Sequence, residues 1–195
     1  MEPSVGRQPK PNPGAAAERA LLDRCRNGDA SAFQPLLRPH LAGLLSLAQR
    51  HCRDAHWAED LVQETLVRAF RGLDSFRGEA ALRTWLYRIL VRLAGAPERW
   101  RRSDAATSID DLEIPDHLEQ LPEHDAIARE LQDRLDEAME RLTFRQRTAL
   151  HLRAVEGMDY AAIAEVLNCT AVAARMHVLA ARRHVLSRVE EHLDP

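Results

Sequence analysis

Arginines recur from Arg68 to Arg102, at Arg71, Arg77, Arg83, Arg88, Arg92, Arg99 and Arg101 between them, and Phe76, Trp85, Tyr87 and Trp100 are set among them. Guanidinium groups hold phosphates and flat rings hold unstacked bases, so this mixture suits single-stranded nucleic acid. Phe76 and Trp85 also suit a plain apolar core, the reading favoured for Trp85, but a core does not explain the arginines. A second surface comes from residues 58–70, Ala-Glu-Asp-Leu-Val-Gln-Glu-Thr-Leu-Val-Arg-Ala-Phe. On a helix turning about 100° per residue, Leu61, Val62, Thr65, Leu66, Ala69 and Leu73 share one side, with Phe70 at its edge. The other side carries Asp60, Gln63, Glu64, Arg68 and Arg71 around a lone Val67, which is expected to be exposed. Such a face is either ordinary solvated surface or a docking face for another protein.

Catalytic chemistry has little support. Asp110 and Asp111 are paired acids, but they fall in a stretch that reads as a linker rather than a cleft, which makes a nucleic-acid enzyme a distant reading. Cys25, Cys52 and Cys169 are far apart and form no Cys-x-x-Cys pair, which argues against a disulfide framework and a structural zinc site. Cys52 and His56 lie four apart as two helical ligands could, yet two ligands are not a site, and His177, His184 and His192 read as surface or packing residues. We expect no metal and no cofactor.

The elements that position these residues read as all-α. The sequence is 45% apolar and only 5% aromatic, rich in Ala, Leu, Arg and Glu, with no alternating run long enough for a strand. Residues 1–17 are expected to be disordered, and the absence of an apolar leader or an 18-residue apolar run points to a cytoplasmic protein without membrane insertion. A first helix is predicted over 15–27. The next segment holds Pro35 and Pro39. Because an interior proline costs about 3 kcal/mol, the helix is expected to break near Arg38 and restart at Pro39. Asp54 caps the helix through residues 58–70, residues 72–78 interrupt it, and 80–94 is helical again. There Leu82, Trp85, Leu86, Ile89 and Leu93 face inward, while Thr84, Arg88, Val91 and Arg92 point away.

The formal net charge of −3 hides an uneven distribution: the arginine-rich part is followed by an acidic one opposed, over 104–140, only by Arg129 and Arg134. Residues 103–122 are therefore read as an acidic flexible linker between a domain at 18–102 and a second at 123–195. In the second, Thr143 caps a helix ended by Gly157. Asp159 caps 160–167, and after the turn at Asn168-Cys169 Thr170 caps a last helix, the second member of a helix-turn-helix.

The motifs Asn27-Gly28-Asp29-Ala30-Ser31-Ala32-Phe33, Ala58-Glu59-Asp60-Leu61-Val62-Gln63-Glu64-Thr65, Phe76-Arg77-Gly78-Glu79 and Thr84-Trp85-Leu86-Tyr87-Arg88-Ile89 occur in that order. Phe144-Arg145-Gln146-Arg147, Glu156-Gly157 and Tyr160-Ala161-Ala162-Ile163-Ala164 follow. The ordered set resembles the extracytoplasmic-function (ECF) subfamily of the sigma-70 class of bacterial RNA polymerase sigma factors, over residues 20–188. The resemblance implies a non-enzymatic initiation factor whose partners are core RNA polymerase, promoter DNA and an anti-sigma factor. It implies polymerase binding by Asp60, Gln63, Glu64, Val67 and Arg71. Minus-ten recognition and melting fall to Ser75, Phe76, Arg77, Arg88, Val91, Arg92, Arg99, Arg101 and Arg102. Minus-35 contacts fall to Thr170, Arg175, His177, Arg182 and Arg183. The last helix departs from the family pattern: Val172 stands for Gly, His177 for Arg, and Ala180 where another Arg is common. The alternative from another class is a conventional helix-turn-helix regulator that binds duplex DNA as a dimer without polymerase.

Overall fold

The computed structural model describes residues 13–52, 54–78, 80–96 and 134–190. The expectations for residues 1–12 and for the 103–122 linker lie outside them, whereas residues 13–17, expected to be disordered, open the first helix. Among the described residues every regular element is helical. The chain divides into two compact units, Met1–Pro39 and His40–Pro195.

In the first unit, α1 (Pro13–Arg26) is followed by a 3-10 turn, Ala30–Ala32. Asp29 caps that turn by accepting from the Ser31 amide at 3.1 Å, and its other oxygen is held by Arg24 at 2.7 Å. The expected break at Arg38 does not occur: α2 runs unbroken from Phe33 to Gln49 with Pro39 inside it. Pro35 sits in the first turn, where its missing N–H is not needed. Pro39 does cost a hydrogen bond, but Leu36 and Leu37 before it and Leu41, Leu44, Leu47 and Ala48 after it are all buried. At about 1.5–3 kcal/mol per buried leucine, that stripe outweighs about 3 kcal/mol for the proline.

The second unit begins within α2. Asp54 accepts from the His56 amide at 2.8 Å and opens α3 (Ala55–Gly72). A short 3-10 turn, Leu73–Ser75, leads towards α4 (Leu82–Ala94), which packs on α3. Their shared core is Leu61, Val62, Leu66, Leu73, Leu86 and Leu90. Residues 134–140 are helical, and Thr143 then closes a capping box with Gln146 at the start of α5 (Phe144–Ala154). Gly157 takes φ +65°, which a side chain would resist. Asp159 caps α6 (Tyr160–Leu167), Asn168 ends it in the left-handed conformation at φ 49°, and Thr170 accepts from the Ala173 amide at 3.1 Å to start α7 (Ala171–Glu190). The α6 and α7 axes are bent 96° apart around buried Ile163, Val166, Leu167, Ala174 and Val178, the geometry expected of a helix-turn-helix.

Losing one side of the capping box should matter measurably. Thr143→Ala is expected to cost about 1 kcal/mol in urea denaturation and Thr143→Ser much less; equal midpoints for all three proteins would show that the box contributes nothing.

Candidate functional site

The polar face of α3 forms largely as the period indicates. Asp60, Gln63 and Arg71 are exposed, and Glu64 is half-buried in an ion pair with Arg68, whose Nε lies 2.6 Å from Oε1. Val67 is a correction: it is 6% exposed, not on the wet side. A 3.6-residue period locates the centre of the packed side but not its width. The large apolar residues that α3 does expose are Trp57 and Phe70.

The arginine-rich surface is also partly as expected. Arg77, Arg88 and Arg92 are exposed, the last two one turn apart on α4. Ser75 is exposed, with its hydroxyl donating to the Gly72 carbonyl at 2.7 Å. Phe76 is a second correction. It is buried, its ring 5.0 Å from that of Trp85, so it braces the loop from below rather than offering a free face. Val91 is a third, buried between Arg88 and Arg92, and Thr84 is buried as well. Arg99, Arg101 and Arg102 lie outside the described residues. On α7, Thr170, Arg175, Arg182 and Arg183 are exposed and His177 is half-buried.

Sequence reasoning missed a polar seam that joins α2 and α4 to α5 and to the turn before α6. Arg83 donates to the Glu156 carbonyl at 2.7 Å and forms an ion pair with its carboxylate. Tyr87 is buried and hydrogen-bonded to the same carboxylate; burial foremost, then Glu156, raises its pKa. Gly43 is required here, since a Cβ on it would lie 2.3 Å from the Tyr87 hydroxyl. Further along, the Thr148 hydroxyl meets His51 Nε2 at 3.0 Å, and the His51 ring lies 4.4 Å from that of Phe144. Arg147 donates to the Arg50 carbonyl at 3.3 Å, and Arg50 pairs with Asp136 at 2.9 Å. Arg83 and Tyr87 lie one turn apart on α4, but Glu156 is 73 residues beyond Arg83, and no local signal marks it as their partner.

Two histidines, His151 buried and His51 half-buried, face each other's neighbours across this seam. Burial, then Arg147 and His151, pushes His51 down to about 4. Burial also pushes His151 to about 4, with Arg50 adding to it and Glu156, 3.9 Å from Nε2, opposing. Both are neutral in the folded protein and would take protons near pH 6.5 once exposed. The unfolded chain therefore binds more protons, and stability, full above pH 6.5, falls as the pH drops from 6.5 towards 4. Between pH 7.5 and 5 the loss should be about 1–2 kcal/mol per histidine. Urea denaturation at both pH values, repeated with His51→Gln and His151→Gln, checks this. Each variant should flatten the dependence, and a wild type equally stable at both pH values would refute it.

An α3 face of mixed charge, an arginine surface on α4 and a helix-turn-helix now have a place together among known proteins. The sequence matches the family described as Sigma-70 region 2 over residues 36–104 and that described as Sigma-70, region 4 over 132–185. It is 34% identical over 176 residues to the RNA polymerase sigma-H factor of Pseudomonas aeruginosa, spanning 86% of this chain and 91% of that protein. With the ECF RNA polymerase sigma-E factor of Escherichia coli it shares 31% over 181 residues, 89% and 94% of the two chains. The sigma factor RpoE of Bartonella quintana, solved in a co-crystal with the anti-sigma factor NepR, aligns with a TM-score of 0.62 at 26% identity, over 81% of this chain and 96% of that one. CnrH, solved with the cytosolic domain of CnrY, aligns at 0.68 over 90% and 99%, and at 24% identity supports the fold alone. The paired helical modules are thus those of a transcription initiation factor, and this chain belongs to the ECF RNA polymerase sigma factors, which direct promoter recognition and the start of transcription.

Proposed function

We propose that this sigma factor divides its work among the surfaces described above. Asp60, Gln63, Glu64 and Arg71 on α3 grip core RNA polymerase, with exposed Trp57 and Phe70 beside them as apolar anchors. The observation that carries the minus-ten assignment is the exposure of Arg77, Arg88 and Arg92 around a loop braced by Phe76 on Trp85. Guanidinium groups on a rigid base can hold the phosphates of an opened strand without ordering a loose segment first. Arg99, Arg101 and Arg102 extend the basic run in sequence. Thr170, Arg175, His177, Arg182 and Arg183 are the residues for minus-35 DNA.

Residues 18–102, 103–122 and 123–195 are the promoter-opening domain, an acidic connector and the upstream-binding domain. No step of this work needs a catalytic group, and we place the protein in the cytoplasm, where polymerase is. No single helix among the described residues is long and apolar enough to cross a membrane. An anti-sigma factor is a partner by analogy with the Bartonella complex.

The seam bears on how the two domains act together. Elements named minus-ten and minus-35 are about 25 base pairs apart, on the order of 85 Å at about 3.4 Å per base pair. Helix α4 packs directly on α6, so the seam must part before both elements are engaged.

In vitro transcription with core polymerase on a pool of genomic fragments tests the whole reading, and its transcripts identify the promoter. Arg88→Ala with Arg92→Ala should leave core binding intact and lower the salt slope of open-complex formation by about 0.7 per lost phosphate contact; an unchanged slope would remove these arginines from the strand. Asp60→Ala with Gln63→Ala should instead weaken core binding, measured by competition with a labelled sigma factor. Normal binding would return the α3 face to plain solvated surface.

A further inference from the structure

Three histidines lie along the polar seam, and none of them belongs to the surfaces assigned above to polymerase or DNA. His151 on α5 is 2% exposed, and its Nε2 is buried without a hydrogen bond, 3.9 Å from a carboxylate oxygen of Glu156. His51, just past the end of α2, is half-buried against Thr148 and the ring of Phe144. The Thr148 hydroxyl donates to the Phe144 carbonyl at 2.8 Å, which leaves a lone pair to accept from His51 Nε2–H at 3.0 Å. A second proton on that ring therefore goes to Nδ1. His40 on α2 is half-buried near Arg83 and Glu156.

The charges around these rings decide what a proton does there. Arg50 pairs with Asp136, and Glu140 lines the same cleft. On α4, Arg83 pairs with Glu156, which also takes the Tyr87 hydroxyl. On α5, Arg147 donates to the carbonyls of Arg50, Met139 and Glu140, Arg145 is exposed, and Arg153 is held by the Met158 carbonyl and the Tyr160 ring. Arg50, Arg83 and Arg147 thus stand against Asp136, Glu140 and Glu156, cation for anion, while the histidines are neutral. Each proton taken by a histidine adds a cation without a counterpart. A charge on His51 faces Arg147 and His151, and one on His151 faces Arg50. Glu156 favours charge on His40 and His151, but Arg83 and Tyr87 already satisfy it, and loss of hydration is the larger effect on both rings. Parting the seam hydrates all three rings. The core that α3 and α4 share, Leu61, Val62, Leu66, Leu73, Leu86 and Leu90, offers a proton nothing to bind.

We propose that the seam is an acid-sensitive closure: protonation of His51 and His151, with His40 beside them, parts α2 and α4 from α5 and α6 while each module stays folded. The sign follows from linkage. Histidines that are neutral in the closed seam and hydrated in the open one bind more protons when it is open, so closure is complete above pH 6.5 and weakens from there towards pH 4. A fall in pH then frees the DNA-reading surfaces, a consequence that rests on the reading that the seam parts before both promoter elements are engaged.

The test uses the full chain with Cys25, Cys52 and Cys169 replaced by Ser, a donor dye on the thiol of His56→Cys in α3 and an acceptor on that of Glu165→Cys in α6, both exposed positions. Between pH 7.5 and pH 5.5 the ratio of open to closed protein should rise roughly tenfold for each of His51 and His151, read as a loss of energy transfer, while circular dichroism keeps its helical signal. Tyr87→Phe removes one hydrogen bond of the seam and brings the two states closer in population, so the same rise is read there even where the parent protein is almost wholly closed. His51→Gln and His151→Gln should each remove one of the tenfold steps. His51→Phe, which keeps a ring against Phe144 and cannot take a proton, should do the same with the packing preserved. Energy transfer that stays constant over this range in both the parent and Tyr87→Phe would overturn the proposal. So would a loss that survives undiminished in His51→Phe and His151→Gln, or one that coincides with loss of helicity. High energy transfer in a complex with core polymerase that protects both promoter elements would instead remove the reading that the seam parts there, and would leave the acid response standing.

Discussion

The largely enclosed carboxylate of Glu156, its side chain 11% exposed, is the point on which the second unit turns. It is reached from α4 by Arg83 and Tyr87, and its own backbone carbonyl accepts a further hydrogen bond from Arg83. A carboxylate so enclosed is tolerable only because a cation and a hydroxyl satisfy it, and removing either partner would leave charge without compensation. The same arrangement explains a glycine in the middle of a leucine-rich helix: at Gly43 the Tyr87 hydroxyl occupies the space of a side chain. Polar groups of this kind specify one arrangement of two modules more sharply than apolar contact does, because each hydrogen bond has a direction.

That specificity has a functional side. If α4 and α7 hold the minus-ten and minus-35 elements as proposed, they must come to lie far apart along a promoter, whereas here α4 packs on the first member of the helix-turn-helix. An interface made partly of ion pairs and hydrogen bonds suits a contact that is to be opened, since each group released into water regains hydration. The apolar cores within each module are different, because exposing Leu86 and Leu90 or Ile163 and Val166 has no such compensation.

Much of the candidate site was legible because its signals are local. The Thr143 capping box, the Asp159 cap, the turn at Asn168 and the exposed arginines of α4 and α7 follow from residue types a few positions apart. Period and motif alone place Val67, Phe76 and Val91 on accessible surface, and the structure buries them. In each case the wheel or loop assignment was sound, and the error lay in how far neighbouring structure reaches over the residue. Pro39 stays inside α2 for a related reason: its local cost of about 3 kcal/mol is visible in sequence, whereas the buried leucines on both sides that outweigh it are a property of the packed structure.

The sequence by itself determined the all-α class, the helix-turn-helix, the ordered motifs and hence the family, because propensity, capping and periodicity act over one to four residues and are written in order along the chain. Only the tertiary structure decided that Arg83, Tyr87 and Glu156 are partners, that burial pushes the pKa values of His51 and His151 down, and that α7 leaves Val172, Met176 and Leu186 exposed. Those outcomes depend on which surfaces meet. A contact between residues about seventy positions apart leaves no periodic trace in a single sequence.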